Sequence, residues 1–167
     1  MASIWNENVV KRFRSVPPNP RENDFHAPYN KLLCTEFDIT GKYSVAPQAY
    51  PQPNTKSTID FFVEYTIEFI SSREEADEQI RKRLKDIGPL CPLGNLYGVF
   101  AFGTKYAIYN YMKDSRRIEP APIPSDPNLT VDTAPIERWN KDLMEKDGAL
   151  HLKELFQCVV QMCEAIG

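Results

Sequence analysis

NLYGVFAFGTKYAIYNYM, residues 95–112, holds two runs of aromatic and β-branched residues, Leu96–Phe102 and Tyr106–Met112, around Gly103-Thr104-Lys105. Side chains of this kind pack well on a pleated surface, and a glycine-led break between two such runs is a hairpin signature. The stretch therefore reads as two antiparallel strands. Gly98, inside the first, marks either a bulge or the close approach of another backbone.

Immediately upstream, REEADEQIRKRLKDIG (residues 73–88) changes the period from two to 3.6. Ala76, Ile80, Leu84 and Ile87 form an apolar stripe, Ser72-x-x-Glu75 is a capping box, and Gly88-Pro89 is a stop. Acids fill the first half and bases the second, which complements the helix dipole. The charged remainder of this helix reads as a solvated face.

Further upstream, STIDFFVEYTIEFISS (residues 57–72) is apolar at every odd position from Ile59 to Phe69, with Asp60, Glu64 and Glu68 among the even ones. That period of two places the three carboxylates on one face of a strand. They are either metal ligands and general acids or bases, or the wet side of a half-buried sheet. Before this strand, Gly41, Pro47, Pro51 and Pro53 leave room only for a short edge strand near Lys42 to Ala46.

The two ends of the chain are helical in pattern. Trp5, Val9, Val10 and Phe13 after Ser3 suggest a helix of about three turns ending before Pro17. Asp24 caps a second, with Phe25, Tyr29, Leu32 and Leu33 on one face and Pro28 in the first turn. Residues 113–134, with Pro120, Pro122, Pro124 and Pro127, form a stiff connection without helical period. Pro135 then opens a helix IERWNKDLMEK capped by Asp132 or Thr133, and a last helix buries Leu152, Leu155, Phe156, Val159, Cys163 and Ile166.

The expected fold is α+β: a single domain over residues 1–167 with a central mixed β-sheet, hairpin included, flanked by helices. Residues 1–23 are an N-terminal helix and proline-rich connection, 24–112 the αβ core, 113–134 the proline-rich loop and 135–167 the C-terminal helices. One chain of 167 residues suits one core.

Composition narrows the function. A net charge of -3 argues against an avid non-specific nucleic-acid binder, though not against a local basic patch. No run of apolar residues has the length of a secretory signal or a membrane span, so a cytoplasmic or nuclear protein without membrane contact is expected. Cys34, Cys91, Cys158 and Cys163 form no C-x-x-C pair and read as reduced, mostly buried thiols. His26 and His151 read as surface or satisfied histidines, and no nucleophile elbow, phosphate loop or His-Glu-x-x-His motif is present. Tyr97, Tyr106, Tyr109, Tyr111, Phe100 and Phe102 either stack on bases or, more simply, pair across strands and fill a core.

The succession IDFFVEYTIEFIS, REEADEQIRKRL, LYGVFAFGTKYAIYNY and DTAPIERWNKDL, across residues 24–165, resembles a group of fungal proteins, especially of mushroom-forming fungi. Their core is similar to the PD-(D/E)XK restriction-endonuclease-like superfamily. The resemblance implies an Asp and a Glu-x-Lys that hold a divalent ion, usually magnesium, and activate water against a phosphodiester. By position, Asp60 and Glu68 would be the metal ligands and Gln79 the glutamine some members place beside the site. Here Glu68-Phe69-Ile70 puts an isoleucine where the lysine belongs, so that Lys56 or Arg73 would have to replace it.

Geometry also opposes the carry-over. On one extended strand Asp60 and Glu68 lie about 26 Å apart, and Asp60 and Glu64 about 13 Å. Carboxylates sharing one metal lie within about 5 Å of each other. A shared site needs a hairpin, for instance at Glu64-Tyr65, that no Gly, Pro or Asn announces. The expectation is thus a catalytically degenerate nuclease-like domain that binds nucleic acid or a protein partner and needs no cofactor. One alternative is an active magnesium-dependent nuclease using Asp60 and Glu68. Another is a small-molecule enzyme with a pocket between the sheet and the C-terminal helices.

Overall fold

The computed structural model describes residues 3–47, 61–65, 73–123 and 135–166. They form four helices and six strands, an α+β structure. Contacts divide the chain into two compact units, Met1–Ile67 with Leu143–Gly167, and Glu68–Asp142.

In the first unit α1 (Glu7–Arg14) starts at Asn6, whose side chain accepts the Asn8 N–H at 2.9 Å. Asn6 is the N-cap, so the helix starts later than the spacing after Ser3 suggests and is eight residues rather than three turns. Trp5 stays outside it, its indole N–H bonded to the Leu143 carbonyl at 2.6 Å. In α2 (Glu22–Glu36) Arg21 is the N-cap, and Asp24 is the residue whose carboxylate accepts the Arg21 N–H at 2.7 Å. Pro28 lies inside this helix, beyond its first turn, and Phe25, Tyr29, Leu32 and Leu33 are buried as their spacing requires.

β1 (Tyr43–Pro47) and β2 (Phe61–Tyr65) pair in parallel, Val45 opposite Val63. α4 (Lys146–Glu164) completes the unit, burying Ala149, Leu152, Phe156 and Cys163. Leu155 and Val159 are only half-buried and Ile166 is exposed, so the buried stripe is narrower than the sequence suggests. Phe156 packs on Trp5 and Phe37, and the Tyr43 hydroxyl reaches the Val160 carbonyl.

The second unit is built on the hairpin. β3 (Asn95–Phe102) and β4 (Lys105–Met112) pair without interruption from Asn95–Met112 to Phe102–Lys105. Gly103, at φ 63, stands first in the two-residue turn, where a type II′ turn takes glycine. Gly98 is no bulge, since it faces Tyr109 in unbroken register. What approaches it is a helix: a Cβ there would lie 3.0 Å from Ile80 and 3.4 Å from Leu84.

Those two side chains belong to α3 (Arg73–Ile87), which covers one face of the hairpin. Ala76, Leu84, Phe100, Ala107, Tyr109 and Tyr111 are buried together there with Ile123 and Trp139. Two short strands widen the sheet around β4. β5 (Arg117–Glu119) lies where a stiff, proline-rich loop was expected, and β6 (Lys141–Asp142) where a helix was. Only Ile136–Trp139 make a 3-10 turn, because the chain after it is drawn into pairing with Lys105 and Tyr106. The parallel and antiparallel pairings expected of one mixed sheet are thus divided between two sheets.

Candidate functional site

The face of α3 turned to the sheet carries two charges. Asp77 is 2% exposed and Arg81 7%, although the sequence places both on the solvated side of the apolar stripe. Four residues apart on a helix, they are neighbours. Both flank Ala76, Ile80 and Leu84, and the interface with β4 and β5 is wide enough to take them in.

Burying a carboxylate costs several kcal/mol unless donors replace its water. Asp77 has five. Its Oδ1 accepts from Arg81 Nη2 at 3.1 Å, the Tyr109 hydroxyl at 3.0 Å and Arg138 Nη1; its Oδ2 accepts from Arg81 Nε at 2.6 Å and the Ile123 N–H at 3.3 Å. Burial alone would raise its pKa, but the bonds from Arg81 and Tyr109, the Arg81 charge and the Ile123 N–H together hold it below the usual carboxylate value. Tyr109 moves the other way. Its burial first, then the charge of Asp77, keep the phenol protonated well above its ordinary range, fixed as a donor.

The arginines also have a second set of partners. Arg81 donates to the carbonyls of Ile118 (3.4 Å) and Pro120, and Arg138 to that of Ala121 at 2.8 Å. The segment leaving β5 contains Pro120 and Pro122, which have no N–H to donate. It offers mostly acceptors, and guanidinium groups are donors only. The network matches the two and ties the segment to α3.

A carboxylate offers about four lone-pair sites, and five donors fill those of Asp77. It has no position left for a metal ion or a substrate proton. The arrangement is chemically a clamp, which orients a proline-rich segment, rather than a base. Sequence reasoning missed Asp77, Arg81 as an inward residue, and Arg138. The four-residue spacing of Asp77 and Arg81 was the available signal, whereas Arg138 lies 61 residues from Asp77.

Of the expected site, Gln79 is exposed on α3, two residues beyond Asp77 and therefore turned away from it. Asp60, Glu68, Ile70 and Lys56 lie outside the described residues, as do Ser72, Asp132 and Thr133. Glu64 is on β2 in register with Ala46. Among the described residues no group of three His, Cys, Asp or Glu side chains could hold a metal ion. Tyr106, Tyr109, Tyr111 and Phe100 are buried, which makes them core and not a stacking platform. Cys163 is buried, Cys34 and Cys91 half-buried and Cys158 exposed, all with free thiols. None of the helices among the described residues is long and apolar enough to cross a membrane.

No protein-family model, curated protein or solved structure matches this chain.

Proposed function

We propose that this chain is a catalytically degenerate nuclease-like domain that binds nucleic acid without cutting it. The observation that carries the choice of binding over catalysis is the state of Asp77. It is the one buried carboxylate among the described residues, and every acceptor position it has is filled by a structural donor. A working metal site needs the opposite, carboxylate oxygens left open to a cation. Ile70 in place of the expected lysine points the same way.

Nucleic acid as the partner is supported by the resemblance of residues 24–165 and by the basic half of α3. Arg81 is spent inside the network, but Lys82 and Lys85 are exposed. Protein partners are the competing possibility within the same class.

The test is incubation of the full chain with labelled single- and double-stranded DNA and RNA, in magnesium, in manganese and in chelator. Retarded but intact nucleic acid, independent of metal, is expected. Metal-dependent cleavage that disappears in Asp60→Asn would overturn degeneracy, and absence of retardation on every substrate would overturn nucleic acid as the partner.

A further inference from the structure

We propose that the end of the second unit formed by the C-terminal part of α3 and the β4–β5 turn is the surface that meets the phosphodiester backbone. This rests on the nucleic-acid reading above and assigns it a place.

Three contacts bring the pieces together. A Cβ on Gly88, at the foot of α3, would meet the Tyr111 ring at 2.5 Å, so the helix ends against the last residues of β4. The N–H of Lys113 then bonds to the Gly94 carbonyl at 2.8 Å, and its ammonium to the Cys91 carbonyl at 2.6 Å. The β4–β5 turn is thereby braced against the connection that leaves α3.

That convergence brings together the segments that carry Lys85, Lys113, Arg116 and Arg117, with Lys82 one turn further up the helix and Asp86 and Asp114 as the acids within them, Glu78 and Glu119 at their borders. Lys82, Lys85, Arg116 and Arg117 are exposed and make no ion pair among the described residues. In a chain of net charge -3 this is a local excess of the opposite sign. The acids that open α3 do not cancel it. Glu74 and Glu75 lie about 15 Å along the axis from Lys85, beyond the roughly 8 Å over which charges act at physiological salt.

The turn is also held in an uncommon shape. Arg116 is at φ 54, a conformation that glycine or asparagine adopts at less cost. Arg116 holds this conformation although it is not glycine, and Arg117, also exposed, follows it directly in the chain. Flexible cations in such a cluster suit a polyanion whose charges repeat along a strand, and they carry no base readout. The partner is therefore the backbone itself, with little sequence preference.

The experiment is fluorescence anisotropy of labelled 20-nucleotide single strands and 20-base-pair duplexes at several salt concentrations, without divalent metal. It compares the native chain, Lys85→Glu/Arg116→Glu/Arg117→Glu, the milder Lys85→Gln/Arg116→Gly/Arg117→Gln, and an equal charge reversal on the first unit, Arg14→Glu/Lys31→Glu/Lys146→Glu. Circular dichroism and urea midpoints confirm that each is folded. The first variant is expected to weaken binding tenfold or more and to lower the salt slope by about 2 to 3, with the second intermediate and the third close to native. Native-like affinity and slope in both cluster variants would overturn this surface while leaving nucleic-acid binding intact. No binding by the native chain would overturn both readings, and binding to vesicles of anionic lipid alone would assign the cluster to a membrane surface instead.

Discussion

Asp77 shows how far a single residue can be from its place in the sequence pattern. As one acid in a charged helix it looks solvated; in the folded chain it is the acceptor on which Arg81, Arg138, Tyr109 and Ile123 converge. Replacing it with asparagine leaves two inward-facing guanidinium groups without their counter-charge, and Asp77→Asn is expected to cost about 3 kcal/mol or more in urea unfolding at neutral pH. The pH dependence has a definite sign. The folded pKa is depressed, so the unfolded state binds more protons between the folded value and about 3.9. The stabilisation is complete above that range and is lost as pH falls through the folded pKa, so the gap between native and Asp77→Asn midpoints should close on acidification. A gap that stays constant down to pH 2 would show that Asp77 is not held ionised by its partners. Only the Arg81 part of this was legible beforehand, because only Arg81 is a helical neighbour; Ile123 and Arg138 are 46 and 61 residues away.

Among the elements, those built from local signals were readable and those built from distant pairing were not. The hairpin is decided by its own residues, and its register runs unbroken around Gly103 and Thr104. α3 stops before Gly88 as expected, and α4 forms where its apolar spacing lies, although of that stripe only Leu152, Phe156 and Cys163 are buried. By contrast, β5 is three residues and β6 two, too short to show alternation, and both exist because β4 offers them a partner. Residues 136–145 keep a helical period yet do not form the helix, since pairing with Lys105 and Tyr106 and the burial of Trp139 and Leu143 outweigh propensity. Close packing between α3 and the sheet gives a test at this scale. Gly88→Ala drives a Cβ into the buried Tyr111 ring at 2.5 Å and is expected to cost about 2 to 3 kcal/mol. Gly98→Ala meets the movable ends of Ile80 and Leu84 at 3.0 to 3.4 Å and should cost clearly less. Equal losses in thermal or urea unfolding would mean that α3 does not rest on the sheet in this way.

For the whole molecule, the sequence pattern of a hairpin among helices was enough for the α+β architecture. It could not give the site, because a candidate pair such as Asp60 and Glu68 is defined by distance in space, and one extended strand would hold them about 26 Å apart. The proposed function is a nuclease-like domain without metal chemistry, and among the described residues the one buried carboxylate, Asp77, is committed to structure. The most direct test is a titration of magnesium, then manganese, into isotopically labelled protein, following the side-chain carboxyl signals of Asp60, Glu64, Glu68 and Asp77. All four are expected to stay unmoved by millimolar magnesium and unbroadened by manganese, apart from the uniform drift of exposed carboxylates. A joint, saturable shift of Asp60 and Glu68 would contradict the claim, since it requires the two to share one ion.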